Sequence, residues 1–199
     1  MKIPPTGNIL VLSLMLLVLT LYGNSKKLYT IDQRIILQEG LSQSRIISIL
    51  EDERGFMWFG TADGLNRWDG YNFKIFRNII NDNTSIPNNT INSMVEDVDG
   101  NIWIGTNNGI ARFNPYTETF ITIKETDATA IFRGANKITA CAIDRQNNLW
   151  FGTEGFGLIK FNPQNHSKEY FFNENKSNFN SISNLFIDSR NRLWIGIFI

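Results

Sequence analysis

Apolar and polar residues alternate in short runs along most of this chain, and the runs are parted by Gly, Asn, Asp and Pro rather than by helix caps. Residues 91–121 show the pattern clearly and read as four short strands, at about 91–96, 101–106, 109–114 and 119–121. Asp99-Gly100 parts the first pair, Asn108-Gly109 the second and Asn114-Pro115 the third. Elsewhere Asp63-Gly64, Asp69-Gly70 and Asn162-Pro163 take corresponding places. Asp-Gly and Asn-Gly reach positive φ at low steric cost, which predicts tight hairpins. Asn147 and Asn191 stand where Gly55 and Gly100 stand earlier, and Asn is the next best residue for left-handed backbone. In a strand, residues two apart share a face. Trp103 and Gly105 therefore look one way, and Ile102, Ile104 and Thr106 the other. Both faces are largely apolar, so the predicted sheet needs cover on both sides.

The pattern repeats. Asp52, Asp97, Asp144 and Asp188 each precede a tryptophan by six residues: Trp58, Trp103, Trp150 and Trp194. Two residues after each tryptophan comes Gly60, Gly105, Gly152 or Gly196. The tryptophans are spaced by 45, 47 and 44 residues, and a fixed period in this range means stacked structural units. Small four-stranded antiparallel sheets stacked around an axis make an all-β fold, the β-propeller. The repeats are expected at 46–90, 91–137, 138–181 and 182–199, the last incomplete after its second strand. Residues 26–45 form a leading segment. Its strand, 28–37, is expected to be the outer strand of the closing blade. Polar connections run over 78–89 and 173–181. Each tryptophan is expected to wedge between blades, each glycine to admit a neighbour's side chain, and each aspartate to accept N–H groups of its own turn. The third repeat carries one extra residue in T-E-G-F-G-L, which predicts a looser second hairpin.

Residues 1–25 read as a signal peptide. Lys2 gives a weakly positive start, and 9–22 is apolar except for Ser13 and Thr20, too short to span a bilayer comfortably. Small residues in Gly23-Asn24-Ser25 allow cleavage after Ser25, and an uncleaved anchor is the alternative. The rest of the chain is thus expected outside the cytoplasm. With 42% hydrophobic and 19% charged residues the composition is globular. Lys+Arg and Asp+Glu are both 19, so no basic footprint for nucleic acid exists. Cys141 is the single cysteine, which excludes an intramolecular disulfide; it lies in an apolar run and reads as a buried, inert thiol.

Little in the chain suggests chemistry. Asp97-Val98-Asp99-Gly100 resembles the opening of a calcium loop, but the positions needing Gly and a bidentate Glu hold Ile102 and Asn108. His166 is the only histidine and reads as a solvated turn residue without partners for a triad or metal site. Asn-x-Ser/Thr sequons at Asn83, Asn88, Asn165 and Asn175 lie in Asn-rich stretches. No catalytic residue, cofactor or metal is expected, and the ligand-binding residues are not readable.

The repeated Asp, short Gly or Asn turn, and hydrophobic-Trp-hydrophobic-Gly-Thr strand resemble the two-component regulator propeller repeat. Residues 40–76, with G-F-M-W-F-G-T-A-D-G-L-N-R-W-D-G-Y-N-F, look like the start of the sensor region of hybrid two-component receptors. The resemblance covers residue 28 onward. It implies a periplasmic sensor that binds a carbohydrate breakdown product, an oligosaccharide, without turning it over. It also implies a longer receptor, with further blades, a larger ring, a membrane-linked kinase region and room for dimerisation. No kinase domain is present in these residues. The alternatives are a propeller lyase and a purely protein-binding propeller.

Overall fold

The computed structural model describes residues 40–123, 137–171 and 180–198. The expected signal peptide at 1–25 and leading strand at 28–37 lie outside the described residues, as does most of the 173–181 connection.

The described chain is built of β-strands. The first blade holds β1 (Ser48–Glu51), β2 (Met57–Thr61), β3 (Gly64–Trp68) and β4 (Phe73–Phe76). The second holds β5 (Ile91–Glu96), β6 (Ile102–Thr106), β7 (Gly109–Asn114) and β8 (Thr119–Ile123). The third holds β9 (Ile138–Ile143), β10 (Leu149–Thr153), β11 (Leu158–Phe161) and β12 (Lys168–Phe171). The fourth contributes β13 (Ile182–Ile187) and β14 (Leu193–Ile197). Each complete blade is an antiparallel meander with its strands paired in chain order, and β13 pairs β14. These are propeller blades, with strand bounds for 91–121 close to those read from sequence. First strands face first strands of the next blade, β1 against β5, β5 against β9 and β9 against β13.

The hydrophobic core is inter-blade. Trp58, Leu65, Ile86, Ile91, Ile104, Ala111 and Phe113 fill the joint between the first two blades. Val95, Trp103, Ile110, Ile138, Phe151 and Phe161 fill the next. The opposite face of the first blade, Phe59 and Trp68, packs with Leu41 from the segment before β1. Ser42 ties that segment down: its N–H donates to Asn66 Oδ1 at 2.9 Å, and Asn66 is fully buried.

The hairpins differ from expectation in one respect. Positive φ at the second hairpins sits on Gly64 (120°) and Gly109 (94°), not on Asp63 or Asn108. Threonine closes these turns. Thr61 Oγ1 donates to Gly64 O and accepts from Asp63 N–H, and Thr106 does the same with Gly109 and Asn108. In the third blade the extra residue gives a longer turn, with Thr153 Oγ1 donating to Gly157 O at 2.7 Å and positive φ at Gly155 and Gly157. At the first hairpins, Gly55, Gly100, Asn147 and Asn191 all take left-handed backbone, with φ of 84°, 76°, 62° and 60°. Each N–H there donates to the repeat aspartate's carbonyl, closing a three-residue turn with a left-handed last residue.

Candidate functional site

The repeated residues converge on the joints between blades. Each aspartate opens the first hairpin and accepts two backbone N–H groups of its turn on Oδ1: Arg54 and Phe56 for Asp52, Asp99 and Asn101 for Asp97. Asp144 and Asp188 repeat this with Gln146 and Asn148, and with Arg190 and Arg192. The other oxygen accepts the indole N–H of the tryptophan six residues on. These Oδ2 bonds are 2.9 Å for Trp58, 2.7 Å for Trp103, and 3.0 Å for both Trp150 and Trp194. The alternation of apolar and polar residues does not reveal this bond. Its signal was the constant six-residue spacing, which carries the ring back across one hairpin to the turn.

The indole then leans on the next blade. Trp58 meets Phe113 edge-on at 5.3 Å, and Trp103 meets Phe161 at 5.7 Å. In the three complete blades the tryptophan pairs in register with a cation of the third strand: Arg67, Arg112 or Lys160. These cations lie 5.8, 6.0 and 5.4 Å from the rings, a cation–π distance. The glycine two residues on is needed for space. A Cβ on Gly60 would come within 2.7 Å of Ile91 Cγ2, on Gly105 within 2.6 Å of Ile138 Cγ2, and on Gly152 within 2.5 Å of Ile182 Cγ2. At Gly196 the nearest atom is Ser183 Oγ of the same blade, at 2.8 Å. The set fades along the chain: Trp58 and Trp103 are buried, Trp150 is half-buried and Trp194 is 55% exposed.

Turn tips also touch across blades. Glu53 N–H donates to Glu96 Oε2 at 2.9 Å, Val98 N–H to Asn147 Oδ1 at 3.4 Å, and Arg145 N–H to Asn191 Oδ1 at 3.0 Å. The left-handed asparagines thus serve as turn residue and as inter-blade acceptor, and Glu96 takes the second duty where Gly100 has no side chain. Burial raises the Glu96 pKa, which the Glu53 N–H only partly offsets.

This arrangement holds structure together. Both oxygens of Asp97 are taken by protein donors, including the Asn101 side chain, so the calcium-like stretch is a capped turn. Among the described residues no group of three or more His, Cys, Asp or Glu side chains is placed to hold a metal. His166 is an exposed turn residue with φ of 57° beside Phe161. Cys141 lies against Ser93 Oγ at 3.1 Å, and burial pushes its thiol up to about 12.

The two-component regulator propeller family matches residues 40–63, 85–108 and 133–155, three successive Asp-turn-Trp-Gly units. Three stretches of the chain are thus similar to the two-component regulator propeller repeat. A 48-residue stretch of this propeller protein is 56% identical to histidine kinase P4 of Formosa agariphila, spanning 24% of this chain and 4% of that one. Its fold matches the extracellular domain of a hybrid two-component system from B. thetaiotaomicron at 23% identity and TM-score 0.64, over 80% of this chain and 21% of that one. A second such domain from that organism matches at 18% identity and TM-score 0.58, over 83% and 29%. Streptogramin B lyase shares the fold at 16% identity and TM-score 0.58, over 78% and 49%. The propeller-repeat chain therefore spans under a third of the two-component relatives it matches.

Proposed function

We propose that this propeller is part of an extracytoplasmic sensor of a hybrid histidine kinase-type receptor, and that it binds a small carbohydrate breakdown product without turning it over. The observation that carries the reading is the match of successive Asp-turn-Trp-Gly units to the two-component regulator propeller, joined to the 56% identity with a histidine kinase. The likeness to extracellular domains of two-component systems supports a periplasmic placement. The repeat side chains are engaged in holding blades together, which leaves recognition to residues outside the repeat. In the complete receptor, further blades and a membrane-linked kinase region are the partners of this part. The shared fold with a lyase adds no observation in favour of catalysis. Calorimetric titration with a panel of oligosaccharide fragments, with mass spectrometry of each mixture afterwards, tests the reading. Saturable binding with the oligosaccharide intact is the expected result. Cleavage of any of them, or no binding across the panel, would overturn it.

A further inference from the structure

The first and second joints are each closed by two complete four-stranded blades, and they carry the same row of side chains near the Asp turns. In the first, Arg67 lies over Trp58 at 5.8 Å, Trp58 meets Phe113 at 5.3 Å, and Glu118 follows in the next blade's third hairpin. In the second, Arg112 lies over Trp103 at 6.0 Å, Trp103 meets Phe161 at 5.7 Å, and His166 follows at 6.2 Å from Phe161. The two third hairpins are built alike. Asn114 Oδ1 accepts the N–H groups of Tyr116 and Thr117, and Asn162 Oδ1 those of Gln164 and Asn165. Glu118 and His166 then take the same left-handed backbone, with φ of 55° and 57°.

What differs is the company of the row cation. Arg67 Nη1 donates to Glu118 Oε1 at 3.0 Å, Lys74 donates to the other oxygen, and Phe56 covers the guanidinium at 5.0 Å. The second joint changes each of these. His166 stands in place of the carboxylate. Ile121 is opposite Arg112 where Lys74 is opposite Arg67. Asn101 stands at the Phe56 position, four residues after the repeat aspartate, and its amide is turned into Asp97. Lys168 is opposite Phe161 where Phe120 is opposite Phe113, and Asp99 holds the Arg54 position without an ion pair to Arg112. The third row cation, Lys160, is satisfied by Glu169 of its own blade at 3.2 Å. Among the described residues Arg112 thus has Trp103 on one face and no acid on its donors. A half-buried guanidinium in that state is a fork shaped for a carboxylate.

We propose that Arg112, with His166 at the Glu118 position, is a subsite for the carboxylate of an acidic sugar, a uronic acid unit of an oligosaccharide. This rests on the reading of the propeller as a carbohydrate sensor and names the class of sugar. In the first joint the chain's own Glu118 occupies the place, and in the second the place is left to a ligand. The Arg112 donors and one imidazole N–H take the carboxylate oxygens. Ile121, 50% exposed and on the same face of the neighbouring strand, offers an apolar floor for the C–H face of the sugar ring.

His166 is the sole histidine, so its imidazole proton resonance in the untagged full chain is a single reporter of this rim. The test titrates it with galacturonate at neutral pH, with galactose and acetate as controls. A saturable shift with galacturonate, a weaker one with acetate and none with galactose is expected. Arg112→Gln should weaken galacturonate binding about tenfold or more, as loss of a charge-assisted pair does. His166→Glu rebuilds the first joint's ion pair in the second. It should abolish galacturonate binding in calorimetry while the melting temperature holds or rises, which separates an occupied subsite from an unfolded chain. An unmoved resonance, an equal shift with galactose, acetate binding as tightly as galacturonate, or binding that persists in either variant would overturn the proposal. Oligosaccharides that bind the chain without moving His166 would overturn this subsite and leave the sensor reading standing, so the two fail separately.

Discussion

The four repeat tryptophans make the same hydrogen bond at the same place in their hairpins but differ in burial, so replacing each by alanine separates motif from packing. Trp103 is 2% exposed, leans on Phe151 and Phe161, and is the sole repeat tryptophan of the second joint. Truncating a buried tryptophan costs about 3–5 kcal/mol through lost transfer energy and the cavity left behind. Trp194, at 55% exposure, has little packing to lose, and Trp194→Ala should cost less than about 1 kcal/mol. Trp58→Ala should match Trp103→Ala, with Trp150→Ala between. Trp103→Phe isolates the polar part: most of the ring stays, Asp97 loses its indole donor, and the cost should be about 1–3 kcal/mol. Urea unfolding followed by far-ultraviolet circular dichroism is the assay, because the substitutions remove the fluorescent probe itself. Equal losses at Trp103 and Trp194 would refute the packing argument and return the weight to the shared hydrogen bond.

Four further outcomes are expected. Gly105→Ala drives a methyl to within 2.6 Å of Ile138 and should cost about 1–3 kcal/mol by overpacking, whereas Gly55→Ala meets nothing within 4 Å and should cost only the about 1–2 kcal/mol of left-handed backbone strain; urea midpoints check both. Acid should loosen the turns. Hydrogen bonds from the Trp194 indole and the Arg192 N–H hold Asp188 down to about 2, and for Asp144 the upward push of burial is outweighed by bonds from Asn148 and Trp150. A folded value below the unfolded one stabilises in full above about 3.8 and is lost as pH falls toward about 2, so melting temperature should drop across that window and drop less in Asp188→Asn. Glu96 works the other way: its raised value removes stability as pH rises through it, so Glu96→Gln should gain most over wild type above the ordinary carboxylate range. Cys141, half-buried against Ser93 with its thiol pushed up to about 12, should react with a disulfide reagent at pH 8 far more slowly than a free thiol, and reaction at the rate of a free thiol would contradict its raised value.

The repeat period, the strands and the both-sided apolar pattern were legible because stacking blades impose one spacing on every unit. The left-handed turn positions were legible because Gly and Asn are the residues that tolerate them. Three features were not. The Asp–Trp bond joins side chains across a hairpin, and its six-residue spacing has no meaning until the turn geometry is known. The second duty of Asn147 and Asn191 as acceptors for the preceding blade depends on the angle between blades. Threonine's part in closing the second hairpin was hidden because the Gly beside it explains the turn by itself. The ligand stayed unreadable for a physical reason: the residues that repeat are those every blade needs, and recognition falls to residues that do not.

The central claim is that the Asp, Trp and Gly of the first two repeats form inter-blade joints, and that the later repeats keep the turn without the full packing. Hydrogen exchange of the tryptophan indole N–H groups, resolved by NMR on the full chain, tests it most directly, since protection follows local opening. The joints predict slow exchange at Trp58 and Trp103, faster exchange at Trp150 and the fastest at Trp194. Exchange at Trp58 and Trp103 as fast as at Trp194 would contradict them.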